Sequence, residues 1–122
     1  MHGKEVLEQP PIAQPLHRMD CCVVSDGGVA FIITRSDLAK NTKQTPINIS
    51  GLGWSELDVD STQLRPRLKE FYYPAHHAVR EQVYPMAGLA PKDVDVYATY
   101  DSFSTHLLFS LEGFGFCGEG EG

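Results

Sequence analysis

The stretch Val94 to Gly122, VDVYATYDSFSTHLLFSLEGFGFCGEGEG, decides the fold, because its pattern of residues changes period in the middle. In Val94 to Tyr100, the positions Val94, Val96, Ala98 and Tyr100 point one way and Asp95, Tyr97, Thr99 and Asp101 the other, as side chains alternate along a strand. Phe103, Leu107, Leu108, Leu111 and Phe114 then fall near one stripe of a helix. Asp101 or Ser102 stands where an N-cap belongs. A strand therefore runs directly into a helix. In open α/β sheets, ligands bind beyond the carboxyl ends of strands, where helix starts supply N–H donors. Tyr100, Asp101 and Ser102 occupy that place and are the candidate site residues.

Working outward, Ala90 to Asp93 is a turn that delivers the chain into this strand. Before it, Leu68 to Leu89 has helical spacing, with Phe71, Ala75, Ala78, Val79, Val83 and Met86 to Ala87 on related faces. Pro74 belongs in the first turn of that helix, Pro85 disturbs the last, and Gly88 is the expected stop. Trp54 to Arg67 is polar and irregular and reads as a loop. Pro46 to Gly53, PINISGLG, alternates like a strand, and Ser36 to Lys40 reads as a short helix.

Cys21 to Thr34 includes the uninterrupted apolar run Val29 to Ile33, which fits a central strand covered on both sides. The order β, short α, β, α, β, α predicts an α/β fold with a mostly parallel sheet and helices on both faces. Residues 1–20, with Pro10, Pro11 and Pro15, read as an extended arm. Residues 21–122 form the domain, whole or partial.

The composition narrows the function classes. Sixteen acidic against ten basic residues give a net charge of -6, whereas a nucleic-acid partner needs a cationic surface. No run of residues is long and apolar enough for a membrane span, and the first ten residues resemble neither a signal nor a transit peptide. A cytoplasmic location is expected. Three cysteines, two of them adjacent at Cys21 and Cys22, make neither a disulfide framework nor a zinc motif, and no metal site is expected.

Other reactive residue types read as structural. Cys21, Cys22 and Cys117 lack a local activating group, and Cys21 and Cys22 enter a core strand. His76 and His77 are adjacent, a spacing that keeps them from sharing one face of a helix. His17 and His106 read as packing residues. The glycines between 113 and 122 form a flexible exit rather than a phosphate cradle, since Glu119 and Glu121 repel anions there.

Three pieces in this order, SDGGVAFIITR at Ser25 to Arg35, MAGLAPKDVDV at Met86 to Val96, and YDSFSTHLLFSLEGFGFCGEGEG at Tyr100 to Gly122, resemble the thiolase superfamily. Within it, the chain is similar to the sterol-carrier-protein-x or lipid-transfer-protein thiolase-like subgroup. Thiolases carry an Asn-Glu-Ala-Phe type tetrapeptide at this junction, and sterol carrier thiolases a His-Asp-Cys-Phe version. Tyr100 stands at the position of that Asn or His, Asp101 at the acidic place, Ser102 at the small place and Phe103 at the aromatic one.

The resemblance implies a catalytic role for Tyr100 in oxyanion stabilisation or proton transfer, oriented by Asp101 and Ser102. Tyrosine there is similar to the steroid side-chain retro-aldolases of the superfamily, which cleave a β-hydroxyacyl-CoA beside a small OB-fold partner protein. The implied substrate is a coenzyme A thioester, with no permanently bound cofactor, and the implied assembly a homodimer or a complex with an OB-fold partner. An acetyl-CoA acetyltransferase, or thiolase, is the alternative.

The nucleophilic cysteine of the first thiolase half and the Gly-His-Pro type loop of the second have no match. The chain is therefore expected to be a segment of the second half, inactive by itself. A reading from a different class is a non-catalytic interaction module that pairs with a thiolase-like or OB-fold subunit.

Overall fold

The computed structural model describes residues 3–56 and 73–122. Two packed helices hold the structure together: α3, Tyr73–Ala87, and α4, Ser104–Gly113. The first part of the expected helix, 68–72, and most of the expected loop lie outside the described residues.

Helix α3 stops where Gly88 adopts φ +67°. Leu89 N–H donates to Tyr84 O at 3.1 Å and Gly88 N–H to Pro85 O at 3.3 Å, the two bonds of a Schellman stop that closes the last carbonyls. Pro85, inside the last turn, has no N–H to donate to the carbonyl four residues earlier. Pro91–Asp93 then forms a 3₁₀ turn, started by Ala90 N–H donating to the Asp93 carboxylate at 2.9 Å.

Helix α4 begins one or two residues later than the cap pattern, Asp101 or Ser102, predicts. Phe103 is its N-cap residue, whose ring offers no acceptor for a side-chain cap bond, and the hydroxyls on either side are engaged elsewhere: Ser102 Oγ bonds His106 Nδ1 and Ser104 Oγ donates to Asp20 at 2.8 Å. The inward face of α4 also differs from the expected leucine stripe. Leu107 and Leu108 remain exposed, while Ser110 and Gly113 are buried and His106 is half-buried. Small residues occupy this face because α3 comes very close. A β-carbon on Gly113 would lie 2.5 Å from the β-carbon of His76. Tyr84 Oη seals the same crossing by donating to Phe114 O at 3.1 Å.

Of the alternation predicted for 94–100, Val94 half-buried and Asp95 exposed keep the expected sense, while over 96–100 the faces are exchanged. Tyr97 packs inward on Phe116 and Phe114, with ring centroids 4.8 and 6.0 Å apart, whereas Val96 and Tyr100 are exposed. Among the described residues the segment has no ladder partner.

The other two expected strands behave alike. Residues 52–54 lie along α3, with Gln82 Nε2 donating to Trp54 O at 3.1 Å, and Phe31, Ile32 and Ile47 are 82, 99 and 95% exposed. Among the described residues the ladder is a two-stranded antiparallel pair, β1 (Pro11–Ala13) and β2 (Leu16–His17), and no parallel pair forms. The fold is mixed α/β with a small antiparallel sheet. The expected mostly parallel sheet does not form here because an extended segment becomes a strand only when another segment takes up its N–H and C=O groups, and these three segments do not pair with one another.

Within the segment read as an extended arm, Gly3–Leu7 is a short helix, α1, and the prolines frame the β1–β2 hairpin, in which the Gln14–Pro15 peptide is cis. A further short helix, α2, spans Ser36–Ala39. Among the described residues no hydrophobic side chain is fully buried, and none of the helices is long and apolar enough to cross a membrane.

Candidate functional site

The candidate site is built where the arm meets the strand-to-helix junction. Cys22 N–H donates to Ser102 O at 3.0 Å, and Cys21 bridges Phe103 in antiparallel fashion. One carboxylate secures this clip. Asp20 accepts His17 N–H at 2.7 Å and the Ser104 hydroxyl at 2.8 Å. These bonds, with the His17 ring nearby, hold the Asp20 carboxyl below its ordinary range.

Tyr100 is 72% exposed, and its hydroxyl lies 3.6 Å from Cys22 Sγ. The thiol beside it is the main influence keeping the phenol protonated above its ordinary range; slight desolvation and the charge of Asp101 add to this. Asp101 is exposed and Ser102 half-buried. The three residues read from the sequence thus lie together, with different partners from those expected: Ser102 turns to His106, and the group against Tyr100 is Cys22. Cys22 is not a core residue but an exposed one, because the segment it begins has no covering layer here.

A cleft of about 190 Å³ opens beside the junction, lined by His76, Thr99, Tyr100, His106 and Ser110. His76 reaches it from α3, with its ring 5.1 Å from that of Phe114. His106 reaches it from the first turn of α4 and stands edge-on to Phe103 at 5.4 Å. A larger concavity of about 300 Å³ lies at α2, lined by Ser36, Asp37, Lys40, Pro46 and Asn48. Its Asp37 carboxylate is paired with Arg35 at 2.8 Å, whereas the smaller cleft is the one that adjoins the Tyr100 to Ser102 junction.

Sequence reasoning passed over His106 and Cys22. The four-residue spacing from Ser102 to His106 was a usable signal, since side chains so spaced meet around one helical turn. Nothing local pointed to Cys22, which is 78 residues from Tyr100.

Cys117 remains a poor nucleophile: burial, then the charges of Glu112 and Glu121, push its thiol up. The glycine-rich exit folds back on α4, with Gly122 N–H donating to the buried Glu112 carboxylate at 3.1 Å. Among the described residues no group of three or more His, Cys, Asp or Glu side chains is arranged to hold a metal ion.

Tyr100, at the junction of an extended segment with α4, thus faces a cleft between two packed helices. Residues 58–122, more than half of the chain, match the family model described as thiolase C-terminal domain-like. The chain belongs to that family.

Among relatives, it is 36% identical over 113 residues to the 17-hydroxy-3-oxo-4-pregnene-20-carboxyl-CoA lyase of Mycobacterium tuberculosis, covering 90% of this chain and 29% of the relative. It is 33% identical to the acetyl-CoA acetyltransferase of Methanocaldococcus jannaschii, covering 97% of this chain and 30% of the relative. A solved Ltp2-ChsH2(DUF35) aldolase superposes with a TM-score of 0.83 at 29% identity, over 99% of this chain and 32% of that one. The chain thus spans about 30% of the length of these proteins.

Proposed function

We propose that this chain supplies the strand-to-helix end of the active site in a thiolase-superfamily enzyme that cleaves carbon–carbon bonds in acyl-CoA thioesters by a retro-aldol route. The observation that carries this is Tyr100: a phenol at the tetrapeptide junction, kept protonated by Cys22 and Asp101 and turned to the cleft. A protonated phenol donates a hydrogen bond to the thioester oxygen as enolate charge develops there, which is the ordinary way of stabilising an oxyanion. In this scheme Asp101 tunes Tyr100 through its charge, and Ser102 acts through the ring it holds. Likeness to a steroid-derived CoA lyase and to a solved aldolase supports the retro-aldol route over acetyl transfer.

The exposed segments around Phe31, Ile32 and Ile47 become strands of a mostly parallel sheet when the remainder of a thiolase-like fold covers them. Each such side chain contributes about 1.5–3 kcal/mol on burial. By itself the chain is inactive. The assembly is a homodimer or a complex with an OB-fold partner protein, and the protein acts in the cytoplasm.

The test is to assay the full-length polypeptide with 17-hydroxy-3-oxo-4-pregnene-20-carboxyl-CoA for ketone release and, separately, with acetoacetyl-CoA and free coenzyme A for thiolysis. Ketone release that is lost in Tyr100→Phe is expected. Thiolysis with full activity in Tyr100→Phe defeats the retro-aldol assignment.

The same exposed apolar residues favour one second reading, a non-catalytic module that pairs with a thiolase-like or OB-fold subunit. A stable native monomer that recruits no partner counts against it.

A further inference from the structure

The geometry points to His106, held by Ser102 at the mouth of the cleft, as the group that moves the proton while Tyr100 binds the oxyanion. This rests on the proposal that the 100–102 junction is the reactive end of a thiolase-like cleft. It goes further by assigning the acid–base work to a residue outside the tetrapeptide.

Two features favour it. His106 lines the same cleft as Tyr100, and its Nδ1 is bonded to Ser102 Oγ, with Phe103 edge-on against the ring. A serine hydroxyl serves as donor or acceptor. Ser102 therefore stays bonded to Nδ1 in either tautomer, so proton exchange with the cleft passes through Nε2. Tyr100 is poorly suited to this task, because its environment favours the protonated phenol. The small residues Ser110 and Gly113, one and two turns along the same face of α4, let α3 approach and close the side of the cleft behind the ring.

In the retro-aldol direction, His106 Nε2 accepts the proton of the substrate's β-hydroxyl. The Cα–Cβ bond breaks as the hydroxyl carbon becomes a carbonyl, and the electron pair passes to the thioester, whose oxygen is held by Tyr100. The imidazolium then returns the proton to Cα of the enolate, giving a ketone and a shortened acyl-CoA. Atoms and electrons balance without an added oxidant or reductant.

The experiment uses the full-length polypeptide with any co-purifying partner. With 17-hydroxy-3-oxo-4-pregnene-20-carboxyl-CoA as substrate, His106→Ala is expected to lower kcat by about 10²–10⁴-fold with little change in KM. Added imidazole restores part of the rate, and Ser102→Ala shows a smaller loss of kcat. His106→Gln, which keeps a polar side chain of similar reach, covers the case in which the alanine variant fails to fold and is expected to be equally slow. A His106→Gln enzyme near wild-type kcat, or an alanine variant that folds and whose loss imidazole does not restore, overturns the proposal.

If the wild type instead thiolyses acetoacetyl-CoA, the retro-aldol assignment fails while the same variants still test His106, because Claisen cleavage also needs proton transfer. Independently of turnover, titration with acetoacetyl-CoA is expected to shift the ring ¹⁵N resonances of His106. Resonances that stay fixed at saturation overturn the proposal.

Discussion

Gly113 of α4 sits directly on His76 of α3: a β-carbon added to the glycine would meet His76 Cβ at 2.5 Å and both Cγ and Nδ1 at 2.9 Å. No rotation of the histidine relieves a clash with its own β-carbon, so the contact fixes how closely the two helices cross and where His76 enters the cleft.

Gly113→Ala is therefore expected to force α3 and α4 apart and to destabilise the full-length protein by about 1–3 kcal/mol, the usual range for overpacking. Denaturant unfolding measures it. Combining the change with His76→Gly should recover part of the loss, and a double variant whose losses simply add would show that the two positions are not coupled.

Tyr100→Phe should reduce kcat by about 10²–10³-fold, as removal of one oxyanion donor does, with little effect on stability at so exposed a position. Retention of the phenylalanine variant's kcat within threefold or so of wild type would argue for a different oxyanion donor.

Cys22→Ala removes the thiol that does most to raise the Tyr100 pKa. The raised value keeps Tyr100 in its donating form to higher pH than an ordinary phenol. In the alanine variant the alkaline loss of kcat/KM should therefore begin at lower pH. The pH profile of the two enzymes checks this, and coincident alkaline limbs would remove Cys22 from the account.

Asp20 has a depressed pKa in the folded state, from His17 N–H first and then the Ser104 hydroxyl. Its stabilising contribution is thus complete above the unfolded carboxyl value of about 3.9 and is lost as pH falls through the lower folded value. Asp20→Asn should lower the melting temperature at neutral pH and flatten the dependence on pH below about 4. Parallel curves for the two proteins would mean that Asp20 does not anchor the arm to the junction.

Tyr84→Phe removes the hydrogen bond to Phe114 O and leaves that carbonyl in a half-buried place. A loss of about 0.5–1.5 kcal/mol is expected on denaturant unfolding. An unchanged unfolding midpoint would show that solvent serves the carbonyl equally well.

The legible parts of the fold were local. Gly88 as the stop of α3 could be foreseen because positive φ is cheap only for glycine, and the period change at Tyr100 located the junction because strand and helix impose different spacings. Boundaries and faces were less legible. The start of α4 was read from Asp101 and Ser102 as caps, but Ser102 and Ser104 spend their hydroxyls on His106 and Asp20, and whether a hydroxyl caps its own helix depends on what else comes within reach.

The inward face of α4 was read from its leucines, whereas Ser110 and Gly113 face α3. Helix packing at close range selects small side chains over apolar ones, and a periodicity of hydrophobic residues does not register that. The faces of 96–100 came out exchanged for a related reason: alternation says that two faces exist, and only the neighbours say which of them is covered.

By itself, the sequence determined where α3 ends and that Tyr100, Asp101 and Ser102 stand where an alternating segment gives way to a helical one. These follow from backbone sterics and side-chain spacing, which act over a few residues. Only the tertiary structure decided that Cys22 faces Tyr100 across 78 residues, that Asp20 clips the arm to Ser104, and that His76 and His106 from two helices share one cleft with the tyrosine. Such contacts arise when packing brings distant segments within hydrogen-bond range, and that distance is not a property of any short stretch of the chain.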